Sequence, residues 1–130
     1  MDDRSIPLAA IYAARERHAG RLHRTPILGS ETAGRVVERA TGRRLAAGRL
    51  LLKAEHLQKT GSFKPRAALN RLASLTAEER ARGAVTMSAG NAGQAYAWAG
   101  RAAGVPVTVV MPESAVRSKV EACLGYGAEV

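Results

Sequence analysis

Five aromatic side chains in a chain of 130 residues leave a core that must be built from aliphatic residues and alanine. One cysteine, Cys123, excludes an internal disulfide and fits a reducing cytoplasm. No apolar run approaches the length of a membrane span, so a membrane protein is not expected. The start Met1-Asp2-Asp3 has no basic segment followed by an apolar one, so a secretory leader is not expected. Acidic groups are also short, eleven against twenty basic, for a net charge of +9. Such an excess raises nucleic-acid binding as a rival function. The charge is spread, however: ten basic and five acidic groups lie in residues 1–49, ten and six in residues 50–130. The aromatics do not interleave with the basic groups, and Arg43-Arg44 is the nearest approach to a patch, so a nucleic-acid partner is not expected.

What is present is an alternation of helix and strand signals. Ser5 is placed to cap a first helix with Leu8, Ile11 and Tyr12 on its apolar face. Arg24-Thr25-Pro26-Ile27-Leu28 reads as extended, because the residue before proline avoids helical geometry. Ser30 opens a second helix that stops at Gly42. From Leu50 onward the pattern is strand, helix, strand, helix, strand, helix. Leu50–Glu55 reads as a buried strand, Ala84–Met87 as the next, and Val107–Met111 as a β-branched third. Thr76-Ala77-Glu78-Glu79 has the form of a capping box. Asn91–Ala103 is a helix with a small inner face of Ala92, Ala95, Ala99 and Ala103, and Ser114 is placed to cap the last helix. This order implies right-handed crossovers and an α/β fold: a parallel sheet flanked by helices in three layers. Ala128-Glu129-Val130 begins a further strand. Because a parallel strand needs both neighbours and both covering layers, the chain is expected to be an N-terminal part of a longer protein.

The chemistry concentrates at Thr60-Gly61-Ser62-Phe63-Lys64-Pro65-Arg66. Gly61 supplies a turn, Ser62 is a candidate N-cap, and Pro65 falls in the first helical turn, where its missing N–H costs nothing. Lys64 therefore stands at the N-terminal end of a helix. The positive end of the helix dipole repels an ammonium there and Arg66 adds to the repulsion, which favours a neutral, nucleophilic amine. Taken alone, Lys64 is as readily a lysine snorkelling from a helix end. A second junction, Ser88-Ala89-Gly90-Asn91-Ala92-Gly93-Gln94, joins a strand to a helix. It offers free backbone N–H groups to an anion, an amide at Asn91, and room for close approach at Gly90. Taken alone, it too is a generic loop. His18, His23 and His56 show no metal-ligand spacing, Lys53, Lys59 and Lys119 read as solvated, and no metal site is expected.

The run from Lys53 through Asn70 closely resembles the cofactor-lysine segment of the threonine/serine dehydratases, which are pyridoxal-phosphate (PLP) enzymes of fold type II. The Arg-Thr-Pro-Ile-Leu stretch and the Ser-Ala-Gly-Asn loop resemble the same family. The resemblance implies a tryptophan synthase beta-like PLP fold, incomplete here. Residues 1–48 would belong to the larger PLP domain, and residues 49–130 would begin the smaller α/β domain. It implies that Lys64 carries the cofactor as a Schiff base and acts as the base at the substrate α-carbon. Phe63 and Asn91 would also bind the cofactor, Asn91 through its ring hydroxyl. Ser88, Ala89, Gly90, Asn91 and Ala92 would hold the carboxylate of an amino-acid substrate. Two positions depart from the family pattern: Ala67 stands where glycine is usual, and Ala92 where histidine often follows the asparagine. The glycine-rich phosphate loop and the pyridine-nitrogen partner are expected beyond Val130, since Gly125-Tyr126-Gly127 is too short and misplaced.

The implied function is dehydration and deamination of L-threonine or L-serine to a 2-oxo acid and ammonia by a cytoplasmic enzyme, a homo-oligomer at full length. The 130 residues alone are expected to be inactive. A threonine synthase-like or cysteine synthase-like enzyme of the same fold type is the alternative, as is a non-catalytic fragment. The related serine racemases carry a serine immediately before the Gly-Asn pair as the second-face proton donor. Ala89 stands there in this chain, which implies little racemisation.

Overall fold

A computed structural model describes residues 5–130, and the Met1-Asp2-Asp3 start lies outside them. Two small sheets organise the helices. Strand β1 (Ile27–Ser30) pairs antiparallel with β2 (Leu50–Lys53), Ile27 opposite Lys53 and Ser30 opposite Leu50. Strands β3 (Ala84–Met87) and β4 (Val107–Val110) run parallel, Ala84 opposite Val107 and Met87 opposite Val110. Glu129 extends this second sheet as a parallel bridge to Thr108. The strand expected to begin at Ala128 thus takes its first pairing within the chain.

The helices are α1 (Leu8–His18), α2 (Glu31–Thr41), α3 (Lys64–Ala73), α4 (Ala77–Arg82), α5 (Asn91–Ala103) and α6 (Arg117–Gly125). Local signals hold where a side chain needs only its own neighbourhood. Ser30 Oγ accepts from the Ala33 N–H and caps α2, and Gly42 ends it at φ 67°. Thr76 and Glu79 form the reciprocal capping box at α4. Gly104, at φ 64°, ends α5.

Several expectations are corrected. Pro7, not Ser5, occupies the N-cap position of α1, and no side chain caps that helix. Leu8, Ile11 and Tyr12 are exposed rather than packed. Val116 replaces Ser114 at the start of α6. Leu50–Lys53 is a strand, but not a buried one: Leu51 is 60% exposed and Leu52 47%. It pairs with β1 rather than with the β3–β4 sheet, and α2 reaches only its Leu50 end, which is half-buried.

The core is one cluster linking α3, α5, β4 and α6 through Leu69, Leu72, Ala95, Ala99, Val107, Val109 and Cys123. Cys123 is fully buried, as a small core residue, and burial pushes its thiol up. Helix α5 lies against β4 at two glycines that the sequence reading did not single out. A Cβ on Gly93 would stand 2.7 Å from the Ser88 carbonyl oxygen and 2.8 Å from Val109 Cγ1. A Cβ on Gly100 would stand 2.7 Å from the Val105 carbonyl oxygen and collide with Val107 Cγ2. Together with Ala95 and Ala99, these glycines let the helix seat closely on the strand, which fixes where Asn91 begins it.

Candidate active site

Lys64 is the first residue of α3, with Pro65 in the first turn. Phe63, not Ser62, takes the N-cap position, and no side chain caps the helix. The reason lies in the backbone: Phe63 already has helical angles, φ −71° and ψ −13°, and its carbonyl accepts from the Arg66 N–H, which puts the N-cap position one residue past Ser62. Its hydroxyl is instead buried with no hydrogen-bond partner, and so is the Thr60 hydroxyl. Thr60 also adopts φ 61°, an uncommon conformation for a β-branched residue. Strain and unpaired buried hydroxyls together mark a loop shaped for something besides its own packing. Lys64 Nζ lies 5.0 Å from the ring centroid of Phe63, which is itself exposed.

The loop is held from behind by a polar clasp that sequence reading missed. Glu55 accepts two hydrogen bonds from Arg66, at 2.8 Å from both Nε and NH2, and one at 2.5 Å from the Thr25 hydroxyl. Arg66, expected to add its charge to the repulsion at Lys64, is therefore neutralised by Glu55. Lys53, expected to be solvated, donates to the Thr25 carbonyl at 3.1 Å and lies 3.8 Å from Glu55. Gln58, almost fully buried, accepts from the His23 and Lys59 backbone N–H groups and donates to the His23 carbonyl. One signal was available in the sequence: an acid eleven residues before an arginine across a loop containing glycine. It is a weak one.

The Arg66 guanidinium, helped by the Thr25 hydroxyl and against the cost of burial, holds the Glu55 carboxyl down at about 2. A carboxyl depressed in the folded state contributes stability above its unfolded value near 4.5, and loses it as pH falls toward 2. Glu55→Gln is expected to cost about 1–2 kcal/mol at neutral pH, allowing for solvent around a partly exposed arginine. The gap from wild type should close between pH 4.5 and 2 in denaturant titrations. A gap that stays constant across that range would show that the clasp contributes only packing.

The second loop follows β3. Ser88 N–H donates to the Val110 carbonyl and continues the strand ladder by one residue. Ser88 Oγ then turns back to accept from the Gly90 N–H at 3.2 Å. Gly90 occupies the N-cap position of α5, and a Cβ there would meet nothing within 4 Å. Protein packing therefore does not demand glycine at this position, and the room it leaves is available to a ligand. The N–H groups of Asn91, Ala92 and Gly93 open α5 without helical partners, at the positive end of its dipole. Ala89 is exposed.

The structure brings the two loops into relation through Lys59–Gly61, a turn that packs against both α3 and α5. The segment leading into Lys64 thus touches the helix that opens on Asn91. Lys119, expected to be solvated, also reaches this helix, donating to Asn91 Oδ1 at 2.9 Å and Gln94 Oε1 at 3.0 Å. His18 lines one surface hollow with Lys53 and Arg66, its Nε2 buried without a partner and its imidazole held below the ordinary range by burial. No described helix is long and apolar enough to cross a membrane.

The sequence profile of the family described as "Pyridoxal-phosphate dependent enzyme" matches residues 11–130. A serine racemase of Dictyostelium discoideum is 41% identical over 97% of this chain and 36% of its own length. An L-threonine ammonia-lyase of Thermotoga maritima is 42% identical over 96% of this chain and 29% of its own length. The crystal structure of the Dictyostelium racemase superimposes with a TM-score of 0.80, covering 96% of this chain and 38% of that one. The chain spans about a third of the length of the curated relatives it matches.

Proposed function

The chain belongs to the pyridoxal-phosphate dependent enzymes of fold type II, and from that premise we propose that it carries the catalytic lysine of an L-threonine/L-serine ammonia-lyase. The residues present fit the cofactor. Thr60 Oγ1 and Ser62 Oγ are buried polar atoms without partners in the lysine loop, and Gly90 leaves open the volume a side chain would take. Lys64 Nζ would hold PLP, Phe63 would lie beside it, and the Asn91 amide would donate to its ring oxygen. Within the loop of residues 88–92 the backbone N–H groups of Ala89, Asn91 and Ala92 would hold the substrate carboxylate, helped by the α5 dipole, while the Ser88 N–H stays in the strand ladder and the Gly90 N–H stays on Ser88 Oγ. PLP, when bound, draws electrons from the substrate α-carbon and so makes its proton removable. The Lys64 amine, set free when the amine of the substrate takes its place, would accept that proton, and the β-hydroxyl would leave with a proton as water. Hydrolysis of what remains yields the 2-oxo acid and ammonia. The same reading assigns residues 1–48 to a larger domain and residues 49–130 to a smaller one, with the β1–β2 pairing drawing Leu50–Lys53 toward the first.

The observation that favours elimination over racemisation is Ala89. Racemisation needs a second proton donor on the face opposite Lys64, and a methyl group cannot supply one. Ser88 does not substitute for it, because it stands one residue earlier and in an extended segment faces away from the side that Ala89 faces, with its Oγ turned back to the Gly90 N–H. The serine racemases among the relatives make this the decisive comparison. The protein carrying this chain, given L-serine, should form pyruvate with D-serine at least about tenfold lower, by chiral chromatography. Ala89→Ser should raise the D-serine share at some cost to pyruvate. Comparable amounts of both products from the unmodified protein would overturn the lyase reading. Turnover of threonine only when a sulfide donor is added would favour the synthase alternative.

A further inference from the structure

We infer that Lys119 is a positioning residue, whose ammonium locks the Asn91 carboxamide with its NH2 end free for the cofactor. This rests on the reading of Asn91 as the donor to the ring oxygen of PLP and adds to it a residue from another helix. Asn91 and Gln94 stand one turn apart on α5, and Lys119, half-buried on α6, donates to the side-chain oxygen of both. An ammonium has three donors and no acceptor, so each carboxamide must present oxygen to it. Turning either amide over would break a charge-assisted bond and set NH2 against the ammonium. Asn91 Nδ2, which has no hydrogen-bond partner among the described residues, is left as the available end. An unrestrained asparagine could offer a ligand either its oxygen or its NH2. An anionic oxygen can accept only the second, so Lys119 removes the unproductive orientation before the cofactor arrives. The positive charge one bond away also polarises the amide and strengthens Nδ2–H as a donor.

A lysine that merely staples α6 to α5 would affect folding stability and nothing else, which gives the test its design. The holoenzyme of the protein carrying this chain is compared with Lys119→Met, Lys119→Arg, Asn91→Ala and the double variant Asn91→Ala/Lys119→Met. The readouts are the PLP dissociation constant, by titration of stripped enzyme, and the visible absorption spectrum of the bound cofactor. Lys119→Met should weaken PLP about 5- to 10-fold and alter the spectrum, as loss of a charge-assisted bond would. Lys119→Arg, which keeps a donor, should return most of both. The double variant should match Asn91→Ala, because Lys119 acts through that amide. Wild-type affinity and spectrum in Lys119→Met, beside altered ones in Asn91→Ala, would overturn the inference and leave the Asn91 reading intact. Effects that add in the double variant would overturn it as well. An Asn91→Ala variant with wild-type affinity and spectrum would overturn the Asn91 reading, and this inference with it.

Discussion

Lys64→Ala should abolish covalent attachment of PLP and lower turnover by about 1000-fold or more, since the same amine holds the cofactor and moves the α-proton. Lys64 is the lysine that opens a helix, beside an exposed aromatic ring and in a loop with two unpartnered hydroxyls. Of the other lysines near the loops, Lys53 Nζ is engaged by Thr25 and Glu55 and Lys119 Nζ by Asn91 and Gln94, while Lys59 stands in the turn five residues before Lys64 and heads no α-helix. Borohydride reduction of the holoenzyme followed by peptide mapping should therefore place the label on Lys64. Label on Lys119 would be the most damaging result, because that amine also lies at the Asn91 end of α5. It would exchange the roles proposed for the two lysines.

Two glycines in one helical region should respond in opposite ways to the same added methyl group. At Gly100 the new Cβ has no room, meeting Val107 and the Val105 carbonyl. Gly100→Ala should cost about 2 kcal/mol of stability, the overpacking penalty less the gain in helix propensity. At Gly90 the Cβ enters open space, and Gly90→Ala should cost less stability than Gly100→Ala, no more than the ~1 kcal/mol of a poorer N-cap residue. Its effect should fall on ligand binding, as several-fold weaker PLP or substrate affinity, because the methyl group occupies the volume assigned to them. A Gly100→Ala protein as stable as wild type would mean that α5 can lift from β4. Unchanged affinity in Gly90→Ala would remove the open volume from the argument for a ligand there.

What the sequence by itself determined is the set of features decided within a few residues. The caps at Ser30 and Thr76, the stops at Gly42 and Gly104, and the β-branched strand at Val107 all appear where local chemistry put them. Lys64 at the head of a helix and Asn91 at the head of another belong to the same class, since each depends on a turn or glycine beside it. The reason is range: a cap bonds an N–H two or three residues away, so neighbouring residue types suffice to specify it. Even these signals failed at Ser62 and Ser114, where Phe63 and Val116 took the N-cap positions instead. The tertiary structure alone decided which partners the longer side chains found. Leu50–Lys53 turned to β1 instead of the parallel sheet, Arg66 reached Glu55 eleven residues back, and Lys119 crossed from α6 to Asn91. Gly93 and Gly100 acquired their importance only when a strand came to lie against them. Such pairings depend on how loops bring distant segments together, and no spacing along the chain encodes that approach.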